Sequence, residues 1–568
     1  MAGFKLIIEN LLNDRGVIQE VNCSDYYHIA PNFIAKFQED KLFIDNADYL
    51  IVLDGVILNK KELIHKYKID SWYEVLLSMY LEMGNEFFQH LRGSFSGVLL
   101  DKKKNKWIIF TDHLGTKFLY YAKSKNALIC SSNIKDIYDY YKSNNIGYNL
   151  SVENAYLLLT YGFMIENRTL CEEILKVQPG CYLIIEDGNL KEQNFWMLDN
   201  SPEMGLSEND AIELIDSAFD KAVSLQFSKD LEHQYKHIVA LSGGLDSRMV
   251  TFAADKLGYK DQLNFTFSHG GYLDETIAKQ IAAALKHEWI FKSLSDGQWL
   301  REVDEVNLQT GGNVIYAGLA HGLSLYKFLN FDKLGLIHSG QLGDVVIGSF
   351  LSNDNQWGSK FNFVEGRGAY SRGLLGRLHD LKFMNTYDNL EQAIFYSRGL
   401  AGANNGLAIT YNFSETYSPF FDIDFLTSVM KIPVSLRIGH NIYKKWIVQK
   451  YPAADHYIWE KTKMKVSNPL YEKLKFNFKG KDISIFQLPE LIQRHLFNIS
   501  SNKNMNPIGY YLSRNNDLRE YLDGFYQYVE LIEDKQLRED VLHIRNNGNP
   551  LEKLQAVTLL SALKLFFS

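Results

Sequence analysis

The sequence predicts a protein of mixed class: an α+β sandwich of two sheets, followed by an α/β domain with a parallel sheet. Up to about residue 200, short alternating or wholly apolar runs are separated by turn residues, which is the pattern of strands. Beyond it, strand-like runs alternate with helical ones, which is typical of a parallel sheet covered by helices. After about residue 375 the pattern is mostly helical. We therefore expect domains at 1–200 and 205–568, the second with a helical C-terminal part.

The composition is that of an ordinary globular protein, with 568 residues of which 46% are hydrophobic and 23% charged. Sixty Lys and Arg against 68 Asp and Glu give a net charge of −8, which argues against a dominant nucleic-acid surface. No run of 18 apolar residues occurs, and the N-terminal apolar stretch is too short for a signal peptide. Four cysteines without a CxxC pair fit a reducing compartment. We expect a cytoplasmic protein that binds neither nucleic acid nor membrane.

The elements of the first half are predicted from short apolar runs and one amphipathic segment. Trp72–Met83 has apolar residues at i, i+3 and i+4 spacing and stops before Gly84, so it is predicted to be a helix. The predicted strands are Lys41–Asp45, Tyr49–Leu53, Ser94–Leu100, Lys106–Thr111 and Gly180–Glu186.

The second half is predicted to open with a capped helix. Ser207 is a suitable N-cap, Asp210 holds the capping-box position, and Ala211–Leu225 has helical periodicity. Strands and helices then alternate: the predicted strands are His237–Leu241, Leu263–Phe267 and Leu334–His338, and the predicted helices are Ser247–Leu257 and Asp274–Leu285.

The most informative stretch is HIVALSGGLDSRMV, residues His237–Val250. A buried strand ends at Leu241 and a helix starts near Ser247, with a Ser-Gly-Gly turn between them. Paired glycines let backbone amides converge on an anion, and the helix N-terminus adds positive potential. Such a loop suits a pyrophosphate, with Asp246 as a ligand for the accompanying Mg²⁺. The pattern GxxxxGK[ST] is absent, which disfavours ordinary γ-phosphate hydrolysis. The alternative for Ser-Gly-Gly alone is a tight strand-to-helix turn.

The hexapeptide SGGLDS resembles the pyrophosphatase loop of the N-type ATP pyrophosphatases, which cleave ATP between the α- and β-phosphates. Four later segments narrow the resemblance to the asparagine synthetase family, whose motifs occur in the same order from residue 40 to about 470. These segments are Leu273–Leu285, similar to the family's Asp-Glu helix, His338–Phe350, similar to its second pyrophosphate loop, Glu415–Asp422, and Lys463–Pro469, similar to the motif of its active-site lysine.

This resemblance implies an adenine-nucleotide α-hydrolase-like (PP-loop) domain that uses ATP and Mg²⁺. It implies Asp246 and Asp344 as metal ligands, Lys463 as the residue that stabilises the charge of the tetrahedral intermediate, and Glu415 as the residue that orients or deprotonates the amine. Because the motif of Glu415 departs from the family pattern at Tyr417, the alternative for Glu415 is a structural salt bridge. Three positions depart from the family pattern: Gln341, Val345 and Tyr417. The implied ATP-binding residues are Leu241, Ser242, Gly243, Gly244, Leu245, Asp246, Ser247, Phe267, Gly340 and Gln341.

The first half resembles the family's glutaminase domain, an Ntn-hydrolase-like sandwich. The matching segments are Leu53–Ile64, Asp70–Asp101 and Thr111–Tyr121. That chemistry requires a cysteine exposed as residue 1, but Met1 is followed by Ala2, and the first cysteine is Cys23. We therefore expect this half to hydrolyse no glutamine. In this it resembles the β-lactam synthetase and lasso-peptide cyclase branches, which take the amine from a substrate.

The leading hypothesis is an ATP-dependent amide-forming ligase that adenylates a carboxylate, releases AMP and pyrophosphate, and transfers the acyl group to an amine, in natural-product or peptide cyclisation or amidation. Two alternatives stay open: an asparagine synthetase or carboxamide-forming enzyme that uses free ammonia, and a non-catalytic scaffold of the same fold. The expected partner is a small-molecule or peptide carboxylate with an amine, and a homodimer is left open. Lys461 and Lys465 are expected to serve as matched controls for Lys463.

Overall fold

The computed structural model describes residues 3–9, 26–124, 127–469, 475–478, 481–484 and 503–568. Its first half contains strands β1 (Gly3–Glu9), β2 (Tyr27–Asn32), β3 (Leu42–Asp45), β4 (Tyr49–Ile57), β5 (Gly93–Asp101), β6 (Lys106–Thr111), β7 (Tyr120–Lys123), β8 (Ala127–Ser131), β9 (Ile174–Lys176), β10 (Cys181–Glu186) and β11 (Asn189–Asn194). They form two antiparallel sheets, in the orders β2-β1-β8-β7-β9 and β11-β10-β6-β5-β4-β3. The predicted two-sheet architecture is confirmed.

Strand β4 explains why this half reads as continuous apolar runs. Alternate residues of a strand face opposite sides of the sheet. Leu50 and Val52 pack into the core between the two sheets, whereas Ile51 and Leu53 pack on the outer face. Helices α1 (Lys60–Tyr67) and α2 (Trp72–Met83) cover that outer face, and α2 has the predicted bounds. Both faces of this sheet are therefore buried.

The second half contains the predicted parallel sheet. Its strands are β12 (Lys236–Ala240), β13 (Gln262–Ser268), β14 (Glu288–Ser293), β15 (Leu334–His338) and β16 (Thr416–Tyr417), in the order β14-β13-β12-β15-β16. The chain runs from β12 outward to β14, and then returns to the other side of β12 for β15 and β16. Ligands of open parallel sheets bind outside the carboxyl ends of the strands at such a reversal. The loops after β12 and β15 are therefore the place to look for a site.

Helices cover both faces of this sheet. They also make up most of the described residues after residue 375, as predicted, and the strands there are β16 and the two-stranded β17 (Lys475–Phe478) and β18 (Lys481–Ser484). The first helix of the second half begins as predicted, because Ser207 Oγ accepts the N–H of Asp210 at 3.2 Å. The remaining helices are α3 (Ile134–Ser143), α4 (Val152–Tyr161), α5 (Glu208–Glu232), α6 (Asp246–Lys256), α7 (Leu273–Leu285), α8 (Val303–Thr310), α9 (Ala317–Tyr326), α10 (Gly343–Val346), α11 (Leu390–Ile394), α12 (Ile423–Met430), α13 (Val434–Arg437), α14 (Asn441–Lys450), α15 (Ile508–Arg514), α16 (Asn516–Asp523), α17 (Lys535–Asn547) and α18 (Pro550–Ala562).

The two halves are joined by buried charged groups as well as by apolar packing. Lys36 of the first half donates to the carbonyl oxygens of Asp332 and Leu334, each at 3.0 Å, where β15 begins. Asp40 Oδ1 forms an ion pair with Lys229 Nζ of α5 at 2.8 Å, and both side chains are fully buried. The first half therefore rests directly on the elements that build the parallel sheet. Among the helices of the described ranges, none combines the length and apolar character that crossing a bilayer requires.

Candidate functional site

The Ser-Gly-Gly turn between β12 and α6 lies at the carboxyl end of β12, where the sequence predicts the phosphate loop. Three of its N–H groups are already bonded within the protein. The N–H of Ser242 donates to Ser247 Oγ at 3.0 Å, and that of Gly244 donates to Ser242 Oγ at 3.2 Å. The N–H of Gly243 donates to Asp274 Oδ1 at 2.7 Å. An anion arriving here would therefore meet chiefly the first turn of α6, whose amides have no partner within the helix.

The loop after β15 packs tightly against the start of α6, and two glycines permit this approach. A Cβ atom at position 340 would lie 2.4 Å from the backbone nitrogen of Ser247. A Cβ atom at position 343 would lie 2.8 Å from Asp246 Cγ. Any larger residue at Gly340 or Gly343 would push the two loops apart. The glycines thus bring the two predicted metal ligands together, Asp246 at the start of α6 and Asp344 in α10.

The carboxylates of Asp246 and Asp344 influence one another. Burial and the charge of Asp344 raise the pKa of Asp246 well above its ordinary value, although the Tyr443 hydroxyl, 2.9 Å from Oδ1, favours the ionised form. Burial opposes ionisation of the half-exposed Asp344 too, but His440, with Nε2 3.9 Å from Oδ2, lowers its pKa. A divalent cation would stabilise the ionised forms of two adjacent carboxylates, one of which has a raised pKa. The donors present therefore fit Mg²⁺.

The segment 459–465, called the hairpin from here on, carries three lysines and is fastened to the Ser-Gly-Gly loop. The N–H of Trp459 donates to the carbonyl of Met464 at 2.8 Å, and the N–H of Glu460 donates to the carbonyl of Gly243 at 3.1 Å. Lys461 is close enough for its charge to lower the pKa values of both aspartates of the pair. Lys463 has a left-handed backbone, with φ of 59°, and lines a different space, the cavity described below.

Arg248 connects this hairpin to the first loop, and the sequence analysis missed it. Its buried guanidinium donates to the carbonyl oxygen of Gly243 at 3.1 Å and to that of Ile458 at 2.7 Å. It also donates to Ala454 and Tyr457, each at 3.1 Å. The one available signal was an arginine directly before the mostly apolar run of α6. Three of the four partners lie more than 200 residues away in the chain, so the pattern could not reveal them.

A cavity of about 370 Å³ lies between the loop after β13 and the hairpin. That volume is within the range of small-molecule sites. The Tyr272 hydroxyl donates to Glu460 and closes one side of the cavity against the first loop. Its lining residues are His269, Gly270, Gly271, Tyr272, Leu273, Ile458, Lys463 and Lys503.

The remaining residues of the predicted ATP site lie around the same sheet edge. Leu241 is buried in the core of the second half. The half-buried ring of Phe267, near the end of β13, lies 4.9 Å from the ring of His321. The side-chain amide of Gln341 donates to the carbonyl of Ala403, so it is engaged within the protein. Leu245 is the N-cap residue of α6.

Glu415 lies in a buried ion network between the two halves, in agreement with the structural salt bridge that the sequence left open as the alternative to a catalytic role. Lys41 Nζ is 2.8 Å from one carboxylate oxygen of Glu415, and Lys117 Nζ is 2.9 Å from the other. Lys117 also pairs with Asp54 at 2.9 Å, and the four side chains are at most 3% exposed. Both lysines form ion pairs with Glu415, but their geometry lies outside the angular range of a hydrogen bond. In this structure both Glu415 oxygens therefore face cations of the first half rather than an open cleft.

The residues on which the expectation about glutamine rests, Met1, Ala2 and Cys23, lie outside the described residues. The described cysteines are Cys130, Cys171 and Cys181, and all three are buried. Burial raises the pKa of each thiol, that of Cys181 to about 12. Because the thiolate is the nucleophile, none of these three is suited to attack a substrate.

Comparison with known proteins shows what this chain is similar to. Residues 38–196 match the glutamine amidotransferase domain. The chain is 26% identical over 344 residues to amidase chry2 of Gibberella zeae, covering 55% of this chain and 49% of that protein. It is also 26% identical to putative asparagine synthetase 2 of Methanocaldococcus jannaschii, and the match covers 62% of this chain and 68% of that protein. The match to asparagine synthetase 1 of Bacillus subtilis is again 26% identical and covers 47% of this chain and 42% of that protein. The match to the first of these relatives thus spans about half of its length. The chain is asparagine synthetase-like.

Proposed function

We propose that this asparagine synthetase-like chain is an ATP-dependent amide-forming ligase. It adenylates a substrate carboxylate, releases pyrophosphate and then AMP, and transfers the acyl group to an amine. The observation that carries the proposal is the carboxylate pair of Asp246 and Asp344, held at the start of α6 by two loops that only glycine allows to approach. The neighbouring 370 Å³ cavity has room for a small-molecule ligand.

In this proposal Asp246 and Asp344 hold Mg²⁺, which when bound supplies positive charge to phosphate oxygens. The first turn of α6 presents amides and the positive end of its dipole to the phosphates. The ammonium of Lys463 stabilises negative charge that develops on the acyl group and on departing AMP. The fastening of the hairpin to Gly243 holds the loop and the lysine in one arrangement, which favours reaction by proximity.

We further propose that the amine comes with a substrate, as in cyclisation or amidation of a natural product or peptide, and not from glutamine. The buried, high-pKa thiols of the described cysteines support this. The measurement is release of glutamate from glutamine by the purified protein, which we expect to stay at the buffer background. A rate that follows the protein through purification and scales with its concentration would refute it.

ATP–pyrophosphate exchange tests the ligase proposal, with Asp246→Asn and Asp344→Asn as probes. Each change removes a charge that Mg²⁺ needs, and we expect each to lower exchange at least about 100-fold. Because the folded protein disfavours the ionised form of Asp246, whose pKa is raised by burial and by the charge of Asp344, Asp246→Asn should leave the melting temperature unchanged or higher. Asp354→Asn, at an exposed site in the same region, is the control. Full exchange in either probe variant at saturating Mg·ATP contradicts the metal assignment.

A second candidate is a carboxamide-forming enzyme that uses free ammonia, as the names of the matched asparagine synthetases suggest. Exchange with aspartate as the acid, followed by asparagine formation with ammonium, supports this candidate. Exchange only with bulkier acids supports the first candidate, the ligase whose amine comes with a substrate. If no acid supports exchange and Mg·ATP does not bind, the chain is a scaffold of this fold.

A further inference from the structure

A small cavity between the two halves is lined by a lysine and an amide that come from different halves. Lys176, at the end of β9, lines it from the first half, and Asn313 lines it from the segment between α8 and α9. We propose that these two side chains together bind a monatomic anion such as chloride and so join the two halves. This cavity shares no lining residue with the cavity beside the hairpin, and the proposal does not depend on the ligase activity.

The ammonium of Lys176 is desolvated and only partly compensated. Its Nζ atom lies 3.9 Å from the centroid of the Phe118 ring, which is a cation–π contact. Within the described part of the chain, no carboxylate comes within ion-pair distance of this ammonium. Burial lowers the pKa of Lys176 to about 8, and the charge of Asp112 offsets only part of that effect. An anion beside the ammonium would supply the missing counter-charge.

The side chain of Asn313 offers a second donor from the other half. Asn313 is only 9% exposed, and its Oδ1 atom accepts the N–H of Leu170 at 2.8 Å, which fixes the orientation of the amide. Its Nδ2 atom is buried and has no hydrogen-bond partner among the described residues. A buried amide donor without an acceptor costs free energy, and a bound ion or water is one way in which proteins satisfy it.

Tyr120 places these two donors in one neighbourhood. It lies directly opposite Lys176 in the pairing of β7 with β9, and the Cβ atoms of such cross-strand partners are about 5 Å apart. Burial raises the pKa of Tyr120, and the amide of Asn313 is close enough to its hydroxyl to act in the opposite direction. Tyr120 also lines the cavity. The lysine and the amide therefore flank the same tyrosine from the two halves.

The charge and the size of the cavity fit a halide ion. Its lining contains two cationic side chains, Lys176 and Arg168, against one anionic side chain, Glu166, which leaves a net charge of +1. The Glu166 carboxylate is already bound by Arg168 at 2.9 Å and by the N–H groups of Met384 and Asn385 at 2.8 and 2.7 Å. The space is about 20 Å³, which is room for one water-sized particle. A monatomic anion fits there, whereas phosphate or a carboxylic acid is too large.

Thermal unfolding of the full chain in chloride and in gluconate, at constant ionic strength, tests this proposal. An ion that binds only the folded state stabilises it, so the melting temperature should rise by about 1–2 °C for each tenfold increase in chloride above its Kd. Lys176→Met should abolish this dependence. Because it removes a desolvated charge, it should leave the melting temperature in gluconate unchanged or higher. Lys535→Met, at a side chain that is 90% exposed on α17, should keep the dependence on chloride.

Asn313→Asp is a second probe, because it keeps the acceptor for Leu170 and places a carboxylate where the free amide nitrogen was. This variant should have no dependence on chloride, and in gluconate it should be at least as stable as wild-type protein. Crystals soaked in bromide should show an anomalous peak between Lys176 and Asn313. A wild-type melting temperature that does not respond to chloride overturns the proposal. A response that survives in folded Lys176→Met, or a cavity without bromide, overturns it as well.

Discussion

At the scale of single residues, the three lysines of the hairpin have different surroundings. The charge of Lys461 acts on both aspartates of the pair, whereas Lys463 lines the cavity. Lys465 is exposed and is not among the residues that line the cavity. Lys461 is therefore a poor control for Lys463, contrary to the expectation from their spacing, and Lys465 is the better one.

We expect Lys463→Met to lower turnover about 100-fold, because it removes a charge that stabilises the reacting groups. Lys461→Met should instead lower the Mg²⁺ concentration needed for half-maximal rate, because it removes a cation that competes for the aspartates. Steady-state rates across a Mg²⁺ titration, with Lys465→Met as control, measure both effects. Equal and modest effects in all three variants mean that the lysines at 461, 463 and 465 belong only to a solvated basic loop.

At the scale of elements, the site depends on how the hairpin is joined to α6. Arg248 donates to four carbonyl oxygens, of which three belong to the segment just before the hairpin. A lysine at this position could not reproduce the planar fork of donors. The hairpin is therefore positioned by one side chain from the first turn of α6 together with the backbone bond from Glu460 to Gly243.

Arg248→Met should destabilise the protein by about 3 kcal/mol or more, because buried carbonyls lose charge-assisted donors. We also expect faster proteolytic cleavage between residues 454 and 464, and loss of ATP–pyrophosphate exchange. Arg372→Met, at an exposed arginine, is the control for the loss of charge. Wild-type protection of the hairpin in Arg248→Met shows that other contacts hold it. Denaturant unfolding and limited proteolysis provide the two measurements.

At the scale of the whole molecule, a buried ion network spans the two halves. Asp112 positions Lys117, which belongs to this network. The Asp112 carboxylate accepts hydrogen bonds from the N–H groups of Leu114, Thr116 and Lys117 and so fixes the turn that carries Lys117. Burial disfavours the charge of Asp54, but Lys117 and Lys41 more than offset this and lower its pKa. Its contribution to stability is thus present at neutral pH and is lost as pH falls through that lowered pKa.

A double-mutant cycle on Lys117 and Glu415 distinguishes a structural role for Glu415 from a catalytic one. Removing one partner of a buried pair leaves an uncompensated charge, so Lys117→Met should destabilise the protein by about 3–5 kcal/mol. Adding Glu415→Gln should recover part of this loss, with a coupling energy above about 0.5 kcal/mol. If Glu415→Gln abolishes turnover while the denaturation midpoint is unchanged and no coupling appears, Glu415 acts as the base that the family resemblance implies.

The accuracy of the sequence-based predictions follows the range of the interactions involved. Helix α2 and three strands of the parallel sheet, β12, β13 and β15, were predicted because periodicity and caps are local. Strands β1, β2, β7–β9, β11, β14 and β16 were not predicted, and most of these are short or lie at the edge of a sheet, where the sequence pattern is weak. The glycine loop and its aspartate were predictable from spacing. The contacts of Arg248 and the pairing of Glu415 with Lys41 and Lys117 were not, because these partners meet only in the folded chain.

The ion network between the halves also bears on how this gene can evolve. The candidate catalytic residues all belong to the second half, so the first could seem dispensable once it performs no chemistry of its own. Expressed alone, however, the second half would carry Glu415 without either of its counter-ions. Truncation would therefore have to follow an earlier replacement at position 415 by a neutral residue. Until then the second half depends on the first for the lysines that neutralise Glu415.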